Sequence, residues 1–119
     1  MLFRSGPDTL PYPTGLVRDA KACNYDQPNL FDKYKELMDL REPVDARGDA
    51  CKSPFGVRNM VGNVDEWVVR EHATAPKRSS LKGGWWLSGR NRCRVSTTAH
   101  DEVYEGIQTG FRCCADARP

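Results

Sequence analysis

Residues with reactive side chains are few in this 119-residue chain. Five cysteines (Cys23, Cys51, Cys93, Cys113 and Cys114) and two histidines (His72 and His100) carry most of the potential for metal or redox chemistry. No two cysteines stand in a CxxC spacing, which argues against a zinc ribbon or finger. An odd number of cysteines leaves one thiol unpaired or pairs it outside the chain. The sequence His100-Asp101-Glu102 has the composition of an acid–base cluster, yet no nucleophile stands beside it. Ser88, Ser96, Thr97 and Thr98 lack the strained Gly-x-Ser-x-Gly turn that presents a hydrolase serine. Between Glu71 and Asp101 run Lys77, Arg78, Lys82, Arg90, Arg92 and Arg94 with no acid among them. Such a stripe can track phosphates, with Trp85 or Trp86 stacking on a base. A net charge of +2 and a pI near 8.3 are too mild to demand that partner. The preferred reading is an exposed face of alternating arginines or their pairing with Asp101, Glu102 and Glu105, and no nucleic-acid partner is expected.

These residues need a scaffold, and the composition limits what that scaffold can be. Val, Ile, Leu and Phe number 22 of 119, a thin supply for a packed core. Ten glycines and eight prolines, scattered and without a period, point to a loop-rich body. Small domains with thin cores generally lean on disulfides, metal or a larger partner structure. The cysteine usage fits that need and favours an oxidising, extracytoplasmic compartment. Trp67, Trp85 and Trp86 offset the aliphatic deficit, since each aromatic buries about 150–250 Å². Residues 1–20 read as irregular. Asn29 caps an expected helix over Leu30 to Leu40, with Leu30, Tyr34, Leu37 and Met38 on one face. Asn63 with Glu66 has the form of a capping box opening a short helix through about Glu71. Leu81 to Leu87, Arg92 to Thr97 and Gly110 to Ala115 read as strands. On such a strand Cys113 and Cys114 point to opposite faces, and one of Trp85 and Trp86 faces outward. That tryptophan pair is the candidate binding surface. The expected class is α+β with high loop content, two short helices against a small, mostly antiparallel sheet. No apolar run approaches the length of a membrane span.

The ordered motifs Gly62-Asn63-Val64-Asp65-Glu66-Trp67, Lys82-Gly83-Gly84-Trp85-Trp86, Arg92-Cys93 and Gly110-Phe111-Arg112-Cys113 together resemble the formylglycine-generating-enzyme (sulfatase-modifying-factor) family. The resemblance covers residues 21–118 and corresponds to the C-terminal half of that family's domain. It implies a fold like that of C-type lectins, and the chain reads as a single partial domain, 1–119, without the N-terminal half. It also implies a calcium ion held by the side chains of Asn59 and Glu66 and the carbonyls of Gly62 and Val64. Hard oxygens of this kind suit calcium, and a capping role for Glu66 would leave Asn59 unexplained. A second calcium would use Asn24-Tyr25 with Asp32 or Asp39. Active relatives carry two cysteines five residues apart after the Gly-Gly step, and hold copper through their thiolates. Here that segment reads Gly84-Trp85-Trp86-Leu87-Ser88-Gly89-Arg90-Asn91-Arg92-Cys93. A serine near the reactive position cannot replace a thiolate for a soft copper ion, so no copper and no formylglycine-generating activity are expected. Cys93 and Cys113 resemble structural cysteines, the latter with its partner in the N-terminal half. The implied function is a non-catalytic, calcium-stabilised binding or accessory module with a protein or small-molecule ligand. The alternative is a metal-dependent oxidase of the wider superfamily whose ligands lie in the N-terminal half.

Overall fold

The computed structural model of the chain describes residues 7–87, 89 and 91–115. Four short strands make one mixed sheet: β1 (Asp65–Val69), β2 (Ser79–Lys82), β3 (Ser96–Thr97) and β4 (Thr109–Gly110). Their order across the sheet is β3-β2-β1-β4. β2 runs antiparallel to both β1 and β3, with Trp67 opposite Leu81 and Leu81 opposite Thr97. β4 lies parallel to β1, with Glu66 opposite Gly110. Turns and irregular segments supply the remainder.

Among the described residues there is no helix, so the expected α+β class is corrected to a small mixed sheet embedded in loops. Both expected helices fail for local reasons. Over 30–40, the Asp32 carboxylate accepts hydrogen bonds from the backbone N–H groups of Tyr34 and Glu36 at 2.8 and 2.9 Å. A side chain that captures nearby backbone donors offers the chain an alternative to the helical ladder. Lys35 adopts a left-handed φ of 65°, and Phe31 bridges Leu37 to close a tight loop. The expected apolar face is therefore not buried as a unit, and Tyr34 is 71% exposed. Over 63–71, Asn63 has φ 67° and Asp65–Val69 is extended. The Asn63 side chain is spent elsewhere, and the consecutive β-branched Val68 and Val69 suit a strand. The strands expected over 81–87, 92–97 and 110–115 occur only in part, as Ser79–Lys82, Ser96–Thr97 and Thr109–Gly110.

A thin aliphatic supply gives a core of unusual make-up. Ala22, Cys23, Tyr25, Cys51, Val61 and Cys93 form the buried cluster, and Cys23 is disulfide-bonded to Cys51. Burial pushes the Tyr25 phenol pKa above its usual value, and its hydroxyl donates to the Asp19 carbonyl at 2.5 Å. Two buried amides tie three segments together. Asn24 Nδ2 donates to the Leu40 carbonyl and to Asn63 Oδ1, at 2.8 and 3.0 Å. Asn63 Oδ1 also accepts from the Glu42 N–H, while Asn63 Nδ2 donates to the Glu42 carbonyl. The Asn63 N–H completes the set by donating to the Asn24 carbonyl at 2.7 Å. Satisfied buried polar networks of this kind specify a unique packing.

Gly62 lies at the centre of that junction. Its φ is 80°, and a Cβ there would stand 2.5 Å from the Asn24 carbonyl oxygen. Any side chain must therefore displace backbone as well as adopt a left-handed conformation. Gly62→Ala is expected to destabilise the domain by roughly 2–4 kcal/mol, combining overpacking with backbone strain. A denaturant titration by tryptophan fluorescence checks this, and a loss under about 1 kcal/mol would show that the junction yields easily. The disulfide closes a separation of 28 residues. Replacing both cysteines, Cys23→Ala with Cys51→Ala, is expected to cost about 2–4 kcal/mol in the same titration.

Candidate cation cradle and tryptophan cavity

Strand β1 carries two adjacent acids, and the alternation of side chains along a strand sends them to opposite faces. Glu66 lies on one side and Asp65 on the other. Each borders a different cavity.

On the Glu66 side, Asn59, Val64 and Glu66 line a cavity of about 340 Å³, joined by Glu42, Asn63 and Arg112. Three of the four residues expected as calcium ligands are thus brought together; Gly62 turns the chain beside them. Asn59 and Glu66 are 3% and 5% exposed. Asn59 Nδ2 donates to the Val44 carbonyl at 3.0 Å, which leaves Oδ1 as the acceptor end of the amide. That Oδ1 is buried and has no hydrogen-bond partner. A buried acceptor without a donor costs about 1–3 kcal/mol, and a cation in this cavity would relieve it. The donor set of amide, carboxylate and main-chain oxygens is chemically suited to calcium.

Arg112 is the member of this group that has no place in the expected ligand set. Its Nε donates to Glu66 Oε1 at 2.7 Å, and its Nη2 contacts the same oxygen. Nη1 and Nη2 also donate to the carbonyls of Arg58 and Asn59, each at 3.1 Å. One guanidinium thereby fastens the C-terminal segment to the loop before β1 and to β1 itself. Glu66 is a counter-ion and not the helix cap that the Asn63–Glu66 spacing suggests. The partners lie 46 residues apart in the sequence, beyond any periodicity that a local reading uses.

The second-calcium candidates each make other bonds. The Asn24 Oδ1 accepts from Gln27 Nε2 at 2.8 Å. Asp32 closes its own turn. Asp39 is exposed and pairs with Arg41, whose hydrogen bonds hold the carboxyl below its usual pKa.

On the Asp65 side, a cavity of about 520 Å³ is bordered by Trp85, Asn91, Thr97, His100 and Gln108. Trp85 and Trp86 do not alternate on a strand, since neither lies in one. Trp86 is fully buried, and its ring packs edge-on against Trp85 with centroids 5.1 Å apart. Trp86 is therefore corrected from surface to core. Trp85 is half-buried and borders the cavity. Asp65 Oδ1 accepts from the Gly84 N–H at 2.9 Å, which anchors the Gly83-Gly84 turn to the sheet.

Cys93 is completely buried, and its N–H donates to the Pro11 carbonyl at 2.9 Å. Cys113 and Cys114 are exposed thiols. The disulfide involves Cys23 and Cys51, for which the motifs offered no assignment. Ser88 and Arg90 lie outside the described residues.

Several of the remaining sequence candidates are structurally employed. Arg78 pairs with Glu102 at 2.8 Å, and Lys77 Nζ donates to the Ala99 carbonyl at 2.9 Å. His100 stacks on Tyr104 with ring centroids 3.7 Å apart. Asp101 Oδ1 accepts from the Val103 N–H in a turn. The His100-Asp101-Glu102 run therefore does not assemble as one acid–base group. Among the described residues no helix is long and apolar enough to cross a membrane.

No curated protein matches the chain. A family model for the sulfatase-modifying factor enzyme 1-like domain matches residues 3–117, nearly all of the sequence and including every strand and both cavities described above. The chain therefore belongs to the sulfatase-modifying factor enzyme 1-like domain family.

Proposed function

We propose that this chain is a non-catalytic, calcium-stabilised member of its family that serves as a binding or accessory module. The observation that carries this reading is the thiol inventory after the Gly83-Gly84 turn. From Gly84 to Phe111 the only cysteine is Cys93, and it is completely buried in the disulfide-bearing cluster. Oxidation of a substrate cysteine through a pair of thiolates needs two thiols that a substrate can approach. A single thiol buried in one cluster with Val61 and Tyr25 offers neither the pair nor the access. Cys113 and Cys114 are exposed but lie beside Arg112, on the Glu66 side of β1.

Calcium is supported separately by the cradle. Asn59 Oδ1, the Glu66 carboxylate and main-chain oxygens of Gly62 and Val64 are the ligands we assign to it. Calcium takes six to eight oxygens at about 2.3–2.6 Å, so waters complete its shell. Glu66 would then be shared between the ion and Arg112. Its role in the protein is to hold β1, the loop before it and the C-terminal segment as one unit.

Two outcomes test these proposals. Millimolar calcium is expected to raise the melting temperature of the oxidised protein by several degrees, and Glu66→Ala to abolish the rise. At one hundred times the dissociation constant a ligand contributes about 2.7 kcal/mol, well within calorimetric reach. An unchanged midpoint in the wild-type protein would remove calcium from the proposal. Separately, a cysteine-bearing sulfatase-type peptide incubated with the protein, copper(I) and oxygen is expected to remain unmodified by mass spectrometry. Loss of the thiol with appearance of an aldehyde would overturn the non-catalytic reading.

A further inference from the structure

Resting on the binding-module reading, we infer that the cavity on the Asp65 side of β1 is a ligand site for a hydroxylated ring of pyranoside type. The cavity measures about 520 Å³, within the ~300–1,000 Å³ typical of small-molecule sites. Its walls combine one broad apolar surface, the half-buried Trp85 indole, with convergent polar groups from three separate segments. Asp65 comes from β1, Thr97 from β3, and Gln108 from the residue before β4.

Asn91 supplies the strongest constraint on what binds. It is 1% exposed, and its Nδ2 donates to the Leu87 carbonyl at 2.7 Å. That bond fixes the amide plane. The opposite end, Oδ1, is buried and has no hydrogen-bond partner. Buried acceptors are almost always paired in native proteins, so a ligand here must bring a donor to Asn91. A hydroxyl does this and accepts a hydrogen bond in return, matching a wall that offers a carboxylate, a hydroxyl, an imidazole and an amide together. The flat C–H face of a pyranose covers the indole and excludes water from the polar contacts.

The wall is also preset, as small-molecule sites usually are. Gln108 Nε2 donates to the Tyr104 hydroxyl at 2.5 Å, and Tyr104 stacks on His100. Asp65 is pinned by the Gly84 N–H. Three of the polar groups are thus oriented before any ligand arrives.

The test is a titration of the calcium-supplemented 119-residue protein with the methyl pyranosides of glucose, galactose, mannose and N-acetylglucosamine. Binding is read from tryptophan fluorescence and from indole N–H shifts by NMR. At least one pyranoside is expected to bind saturably, and Asn91→Leu and Trp85→Ala each to weaken it about tenfold or more, on the scale of one lost hydrogen bond or stacking contact. Trp85 is half-buried, so its variant carries the test should Asn91→Leu fail to fold. No saturable response from any of the four sugars overturns the assignment, as does equal affinity in wild type and Trp85→Ala. Binding of an extended peptide at this cavity without any sugar response also overturns it. A calcium melt on the same samples separates the two readings. A preserved calcium shift with no sugar binding removes only the ligand class, whereas loss of both removes the module reading as well.

Discussion

The structure hangs on two buried asparagines. Asn24 and Asn63 exchange side-chain and main-chain hydrogen bonds with one another and with residues 40 and 42. Removing amides from water without partners costs several kcal/mol, so the arrangement is stable only when every bond is made at once. That requirement fixes where three loops meet, and Gly62 is the residue that lets them meet closely. Asn63, held this way, delivers the chain into β1 with Glu66 and Asp65 already sorted to opposite faces. A domain with few aliphatic side chains thereby obtains definition from polar geometry and from the Cys23–Cys51 bond.

The second consequence concerns charge. Glu66 is nearly buried, and a buried carboxylate must be paired. Arg112 answers this from the far end of the chain, and it also caps the carbonyls of Arg58 and Asn59. The same neighbourhood leaves Asn59 Oδ1 without a donor. One guanidinium therefore neutralises the acid but does not complete the site. This is why a cation remains a sensible occupant although the acid has a partner.

Legibility from sequence divides along physical lines. The family was readable because its motifs are backbone requirements: Gly62 must be left-handed and close to Asn24, and Gly83-Gly84 must turn so that Asp65 can accept from Gly84. Asn59, Val64 and Glu66, which the motif groups together, do share a cavity. Secondary structure was not. The Asn63–Glu66 spacing fits a capping box, but tertiary bonds to Glu42 and Asn24 claim Asn63 first. Leu30, Tyr34, Leu37 and Met38 keep helical spacing, yet the Asp32 carboxylate takes the backbone donors that a helix would use. The contacts of Arg112 and Asn91 were invisible because their partners are brought near only by the fold. Trp85 and Trp86 illustrate the middle case. One of them does look outward, but a turn and not strand alternation decides which.

β1 is five residues long, and it forms a wall of both cavities. Glu66 and Asp65 are consecutive, so a single peptide unit links one wall residue of each chamber. Whatever immobilises that peptide from one side lowers the entropy left to lose when the other side is filled. Any resulting cooperativity must be mutual, with each occupant raising the other's affinity by the same factor. A strand this short thus makes thermodynamic neighbours of two chemically dissimilar compartments.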